Sequence, residues 1–479
     1  MLILTLFIVV AALALRVYHL EWSFSNNGVD EGVMAERVLM LSEGYDLYAE
    51  LPCDQAPGAF LMGAVAWGDV VSLRALTVVF SMLAIGSCMY ASRRMAGAGA
   101  MLVTGALLAV DFTFLRESRL FSLDALAASV LAVSLLAFIM YQHGNRLPYL
   151  VASGLLMGLS ASVKLLGVVG LAGMLLFIVL ETASRRSDVR TSAVATVALV
   201  ASACVPMVAL LLLLGPSDML EGMVFNQGHR TFDAFLKLSV VAFFGLCIAY
   251  ALPLVRAKAL WRAGPAERLL LSVTFAVLLF MVVQPLVFLH HMALASPALA
   301  ILAGVVVARE RGPKSITCSE GKPLIVSKLS RGAKAAIAIL VASLAVSGGL
   351  SVYGLLLQDE PIQIVYGRAL AELTDEDDWV ICGDPLIAAY ADRRVPPEMV
   401  NVAHRQYPEL TFDTVRTAVV QYDVAAVVVC YHLNDFEGLP GFLESHGYTL
   451  IDPSYVTASG GAALDLFQEG IEPVSFYLR

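Results

Sequence analysis

The feature that most limits what this chain can fold into is the recurrence of apolar runs of roughly 18–22 residues, each closed by a short charged segment. A helix of that length crosses an apolar layer of about 30 Å, and in lipid a helix satisfies its own backbone N–H and C=O groups. With 59% hydrophobic and 15% charged residues over 479 positions, the chain is too apolar for an ordinary soluble domain of its size. A polytopic α-helical membrane protein is expected. Eleven spans are predicted, near 2–20, 71–91, 99–114, 122–141, 148–162, 165–181, 192–214, 238–255, 268–288, 292–308 and 335–357. The first has no basic residue before its apolar core and no small-residue cleavage site before Glu21, so it reads as a retained helix.

Lys and Arg accumulate in cytoplasmic loops. Arg93 and Arg94, Arg146, Arg185 to Arg190, Arg256 to Arg262 and the dense set from Arg309 to Lys334 fall in alternate connections. That places the N-terminus inside, and the first loop (21–70) and the C-terminal region (358–479) outside. The protein is thus expected in the cell membrane, multi-pass, with its chemistry extracytoplasmic.

The chain divides in composition at about residue 357. Beyond it stand 20 Asp and Glu against 6 Arg and no Lys, a net charge of −14, whereas the whole chain carries −9. Short apolar runs at Trp379–Cys382 and Val424–Cys430 alternate with helix-like stretches near 361–373, 411–421 and 436–446. We therefore expect a membrane domain over 1–357 and a soluble α/β domain over 358–479. The acidity argues against nucleic acid as a partner, and Ser459-Gly460-Gly461 lacks the strand-to-helix setting of a phosphate loop. Seven scattered cysteines carry no metal-ligand spacing; Cys382 and Cys430 each end an apolar run and could pair.

Charged residues near the predicted outer boundary are where chemistry could sit, because an ionisable group there needs a partner or a polar cavity. Asp30 and Glu31 open a helix-like stretch in the long first loop; they either accept a proton from an acceptor or serve as negative charge at a helix N-terminus. Arg116, Glu117, Arg119 and Asp124 crowd the second outer loop, with an Arg119–Asp124 ion pair and a Ser122 cap as the structural alternative. Lys164 stands alone between two apolar segments, suited to a phosphate or to snorkelling toward the interface. His290 and His291 end the ninth span, and His229 and Arg230 lie in the loop before the eighth. Adjacent histidines point in different directions, so no metal site is expected.

Asp30-Glu31 after the first helix, Arg119 to Asp124 opening the fourth, Ser162-Val163-Lys164-Leu165-Leu166-Gly167, and His290-His291 before Pro297 together resemble the GT-C superfamily. Within it the likeness is to protein O-mannosyltransferases (glycosyltransferase family 39) and lipid A aminoarabinose transferases, over roughly residues 1–310. The resemblance implies an inverting transfer from a polyprenyl- or dolichyl-phosphate sugar to a hydroxyl of a protein, lipid or glycan. It implies Asp30 as general base, Asp124 as the second acid, Lys164 as the lysine toward the carrier phosphate and His291 or His290 as the histidine of the ninth span. Arg119 and Arg230 are further phosphate-binding candidates, with Arg116, Glu117 and His229 lining the cavity. No cofactor or metal is expected. The first loop departs from the family, since Cys53-Asp54-Gln55-Ala56-Pro57-Gly58 keeps one proline and no positive charge. The rival functions are a polytopic transporter, disfavoured by the lack of an inverted repeat, and a non-catalytic subunit that binds lipid-linked sugar.

Overall fold

The computed structural model describes residues 1–22, 28–66, 68–223, 235–310, 330–356, 360–402, 410–451 and 474–479. Helix α1 (Leu2–Val17) is followed by two short helices, α2 (Gly28–Ser42) and α3 (Gly58–Ala66), from the first loop. Then come α4 (Val70–Val110), α5 (Phe112–Glu117), α6 (Leu123–Gly144), α7 (Leu147–Val163), α8 (Val168–Ala183), α9 (Val189–Leu214) and α10 (Pro216–Met223). Asp69 starts α4 by accepting from Ser72 N–H, and Ser122 starts α6 by accepting from Ala125 N–H. The 41 residues of α4 cover two of the predicted spans. They are divided at Ala96 and Gly97, whose φ of 79° and ψ of −169° only glycine adopts readily.

The chain continues through α11 (Leu238–Leu246), α12 (Leu252–Val255), α13 (Ala257–Ala263), α14 (Pro265–Val283), α15 (Ser296–Glu310) and α16 (Arg331–Leu356). Among the described residues six helices are long and apolar enough to cross a membrane, or seven if the pair 235–246 and 248–255, bent by 101°, is one span. Every one of the eleven expected runs falls on a helix, but several are too short to count: α1 and α7 have 16 and 17 residues, and α15 has 15. Helix α15 lies in the middle of the bundle against α4, buried along most of its length. Small residues allow such close approach. A Cβ on Gly158 of α7 would stand 2.1 Å from the Ala203 carbonyl oxygen of α9.

Three buried arginines fix the end of α1, whose last carbonyls have no helical partner of their own. Arg119 donates to the carbonyls of Leu15, Arg16 and His19, and Arg74 to those of Leu20 and Glu21. Arg16 in turn donates to Leu108 and Ala109 near the end of α4.

Among the described residues the C-terminal region holds a four-stranded sheet in the order β1-β2-β4-β3, from β1 (Val380–Cys382), β2 (Ala426–Val429), β3 (Thr449–Ile451) and β4 (Ser475–Leu478). Strands β1 and β2 are parallel; β4 runs antiparallel to both β2 and β3. Helices α17 (Ile362–Leu373), α18 (Pro385–Ala391), α19 (Phe412–Gln421) and α20 (Leu439–Ser445) accompany it. Side chains alternate between the two faces. Val380, Cys382, Ala426 and Val428 pack with α2, α3, α17 and α18, whereas Ile381, Val427 and Val429 pack with residues of α19 and α20. Burial on both faces explains why these strands read as unbroken apolar runs. The region seats directly on the first loop: a Cβ on Gly32 of α2 would stand 2.2 Å from the Leu386 nitrogen of α18. Cys382 and Cys430 are both buried and free, so the pairing that the sequence left open is not formed.

Candidate functional site

The ends of several helices meet at one cavity of roughly 320 Å³. Asp124 sits in the first turn of α6, directed there by the Ser122 cap. Lys164 follows the last turn of α7 in an extended conformation, and its Nζ donates to Asp124 Oδ2 at 2.5 Å. His290 and His291 come from the 3-10 turn Leu289–Leu294, Asp30 and Glu31 from the first turn of α2. Arg116 and Glu117 come from α5. All of these line the cavity, together with Asp54, Gln55, Phe288, Asn401, Tyr431 and His432.

The electrostatics centre on Asp124. Its Oδ2 carries the Lys164 ammonium and has His290 Nε2 at 4.0 Å, while Oδ1 is buried with no hydrogen-bond partner among the described residues. Phe288 stacks on His290 at 5.4 Å between ring centroids, and the two histidine rings meet edge to face at 4.5 Å. His291 Nδ1 accepts from Phe288 N–H at 3.4 Å. The ligand-capable atoms of Asp124, His290 and His291 all lie within 4.8 Å of one another. This corrects the argument that adjacent histidines must diverge: they lie in a 3-10 turn, Leu289–Leu294, beyond the end of the ninth span, and that turn brings both rings to one carboxylate. The set could hold a cation, which would compete with the Lys164 ammonium for the Asp124 carboxylate.

Asp30 is exposed on the cavity wall and, among the described residues, its carboxylate has no hydrogen-bond or ion-pair partner. Glu31 differs from its neighbour. It is buried, and its two oxygens accept from Arg74 Nε and Nη2 at 2.8 and 2.6 Å and from Phe121 N–H at 2.9 Å. Both oxygens are thus taken up by Arg74 and the Phe121 N–H, a structural use that does not fit the catalytic role expected of Glu31 beside Asp30. Glu117 accepts from Ser122 Oγ at 2.6 Å and lies 3.7 Å from Arg116 Nε.

Arg119 is not at the cavity. It caps the end of α1, and it forms no ion pair with Asp124, which takes Lys164 in its place. Burial, reinforced by the nearby Arg74 cation, lowers its pKa to about 10. The phosphate-binding role expected of it has no geometric support, because its guanidinium serves backbone carbonyls. His229 and Arg230 lie outside the described residues.

Sequence reasoning did not find Asn401, Tyr431 and His432, which arrive from the C-terminal region. A signal existed: Tyr431 directly follows the apolar run of β2, and the carboxyl ends of parallel strands are where α/β sheets bind ligands. Using it required the strand order. Nor did it foresee that Asp54 accepts from Arg37 Nη1 at 3.4 Å, so that α2 supplies the positive charge that the 53–58 segment lacks.

No curated protein matches the chain by sequence. The family described as dolichyl-phosphate-mannose-protein mannosyltransferase matches residues 60–210. Among solved structures, ArnT from Cupriavidus metallidurans bound to undecaprenyl phosphate superposes with a TM-score of 0.63 at 16% identity, covering 99% of this chain and 96% of that one. The apo state of the same protein gives 0.62 at 15%, covering 93% and 92%. The archaeal oligosaccharyltransferase AglB from Archaeoglobus fulgidus, in complex with an inhibitory peptide and a dolichol-phosphate, gives 0.59 at 16%, covering 99% of this chain and 75% of that one. The chain is therefore a multi-pass membrane protein with the GT-C fold, resembling the protein O-mannosyltransferases and the aminoarabinose transferases.

Proposed function

We propose that this protein is a glycosyltransferase that moves a sugar from a polyprenyl-phosphate donor to a hydroxyl acceptor on the outer face of the membrane. The observation that carries the reading is the meeting of Asp30, Asp124 and Lys164, far apart in the chain, at one cavity. The matched family and the polyprenyl-phosphate named with two of the similar structures support the donor class. Mannose and related sugars are the first donors to test. The acceptor is a hydroxyl of protein, lipid or glycan. In this reading residues 1–357 form the membrane domain and 358–479 an extracytoplasmic domain.

The reaction is a single in-line displacement. Asp30 takes the acceptor hydroxyl's proton as that oxygen attacks the anomeric carbon. The bond from that carbon to the phosphate oxygen breaks, the phosphate leaves with the electron pair, and configuration inverts. Lys164 faces the charge that develops on the phosphate, and it is worth more there than in water because the cavity is partly shielded. Asp124 and the histidines beside it orient that ammonium. Glu31 and Arg119 hold the first loop and the end of α1 in place and do not meet substrate. The step as drawn uses no divalent ion.

The test is transfer of label from radiolabelled polyprenyl-phosphate sugars to membrane acceptors by purified protein in lipid nanodiscs. Asp30→Asn abolishes transfer while the protein inserts and folds. An active Asp30→Asn protein removes Asp30 from the mechanism, and a wild type that moves no label from any of the donors returns the transporter and binding-subunit alternatives.

A further inference from the structure

The cavity has one part of its wall that none of the sequence motifs supplies: Asn401, Tyr431 and His432. The sheet delivers two of them. Parallel strands β1 and β2 run out at the same edge, β1 into Gly383 and β2 into Cys430 and Tyr431. The two exits are pressed together, for a Cβ on Gly383 would stand 1.9 Å from the Cys430 carbonyl oxygen. Gly383 N–H donates to the Val428 carbonyl and Leu433 N–H to the Cys430 carbonyl, both at 3.0 Å. The turn Tyr431–Asp435 is thereby held in register.

Tyr431 has a φ of +48°, a left-handed conformation that a bulky residue rarely adopts. Such strain is of order 1–3 kcal/mol, persists only where the surroundings over-determine it, and concentrates at binding sites. Its ring packs against that of His432 at 4.0 Å, and His432 Nδ1 lies 3.8 Å from Asp435 Oδ2.

We propose that Tyr431 and His432, with Asn401, are specificity residues that contact the sugar ring of the donor. The inference rests on the glycosyltransferase reading. In a polyprenyl-phosphate sugar a single oxygen links the anomeric carbon to phosphorus, so a phosphate held at Lys164 puts the sugar ring in this same cavity. The C–H faces of a sugar ring pack on aromatic rings, and its hydroxyls pair with amide and imidazole groups. Asn401, Tyr431 and His432 offer that combination. Among the described lining residues from the C-terminal region there is no lysine or arginine, so this wall brings no fixed cation to the phosphate.

The experiment compares two probes on the full chain in nanodiscs: undecaprenyl phosphate, and undecaprenyl phosphate carrying a hexose or an aminosugar. Wild type binds a glycosylated carrier more tightly than the bare one. Tyr431→Ala and His432→Ala weaken binding of the glycosylated carrier about tenfold, equivalent to 1.4 kcal/mol, and leave the bare carrier within about twofold. Tyr431→Phe, which keeps the ring, retains most of the affinity. Tyr431→Gly relieves the backbone strain and deletes the ring, so it loses sugar affinity while remaining at least as stable as Tyr431→Ala. Equal loss for both carriers, or loss for neither, overturns the assignment. A wild type that binds the bare carrier and gains nothing from any attached sugar overturns the wall and leaves the phosphate site standing. A wild type that binds neither carrier overturns the glycosyltransferase reading and this inference with it.

Discussion

Replacing Lys164 by methionine strands a charge. Asp124 is buried, with its side chain 6% exposed, and among the described residues its Oδ1 has no hydrogen bond to fall back on. Removing one partner of a buried ion pair destabilises by about 3–5 kcal/mol, because the other charge stays desolvated without compensation. His290 at 4.0 Å can take up part of the field, which puts the expectation at about 3 kcal/mol, the lower end of that range. At roughly 1 °C per kcal/mol for a chain of 479 residues, melting in detergent micelles should fall by about 3 °C. The double variant Asp124→Asn with Lys164→Met removes both charges and should recover most of that loss, since neutral asparagine can be buried far more cheaply than a lone carboxylate.

The same two proteins separate folding from function. Undecaprenyl phosphate should raise the melting temperature of wild type, as any ligand of the native state does. The double variant, folded but without the ammonium, should show little of this shift. A Lys164→Met protein as stable as wild type would mean that the pair carries no net energy. A double variant no better than the single one would mean that Asp124 was never the stranded group. A double variant with the full undecaprenyl phosphate shift would place the phosphate elsewhere.

Other consequences can be measured directly. Arg74→Met leaves the fully buried Glu31 without its bidentate partner and should lower stability by about 3–5 kcal/mol, with Glu31→Gln milder; a Glu31→Gln protein that folds normally yet transfers nothing would return Glu31 to the chemistry. Chelation with EDTA should leave transfer intact, because the displacement as drawn relies on the Lys164 ammonium and on no divalent ion; activity lost to EDTA and restored by a divalent ion would make Asp124, His290 and His291 a cation site. Burial raises the carboxyl pKa of Asp384 from 3.8 to about 6, so the folded chain holds its proton more tightly than the unfolded one. Its contribution is therefore greatest below about pH 4 and diminishes by about 3 kcal/mol as pH rises to 6, a slope that Asp384→Asn should flatten and that an unchanged pH profile would contradict.

What could be read from the sequence and what could not divide along a physical line. Apolar length gave the helices, because lipid imposes one rule on every span, and the unbroken apolar runs of β1 and β2 followed from burial on both faces. Asp124 and Lys164 stood out because a charge between apolar helices needs a reason, and the structure pairs them across 40 positions. That reasoning has no way to rank charges that share a boundary. Asp30 and Glu31 are neighbours of the same type, yet one is exposed without a partner among the described residues and the other is locked by Arg74 from 43 residues away. Arg119 looked as available as Lys164 until the end of α1 was seen beneath it. The distinction lies in which backbone carbonyls and buried counter-charges each side chain meets, and those partners are fixed by packing between segments that no local pattern connects. The C-terminal contribution was hidden for the same reason. Tyr431 and His432 reach the cavity only because β1 and β2 are parallel neighbours and because the region as a whole seats on α2. Sequence periodicity states that a strand is present and is silent about which strand lies beside it, so a wall assembled from strand ends becomes visible only in three dimensions.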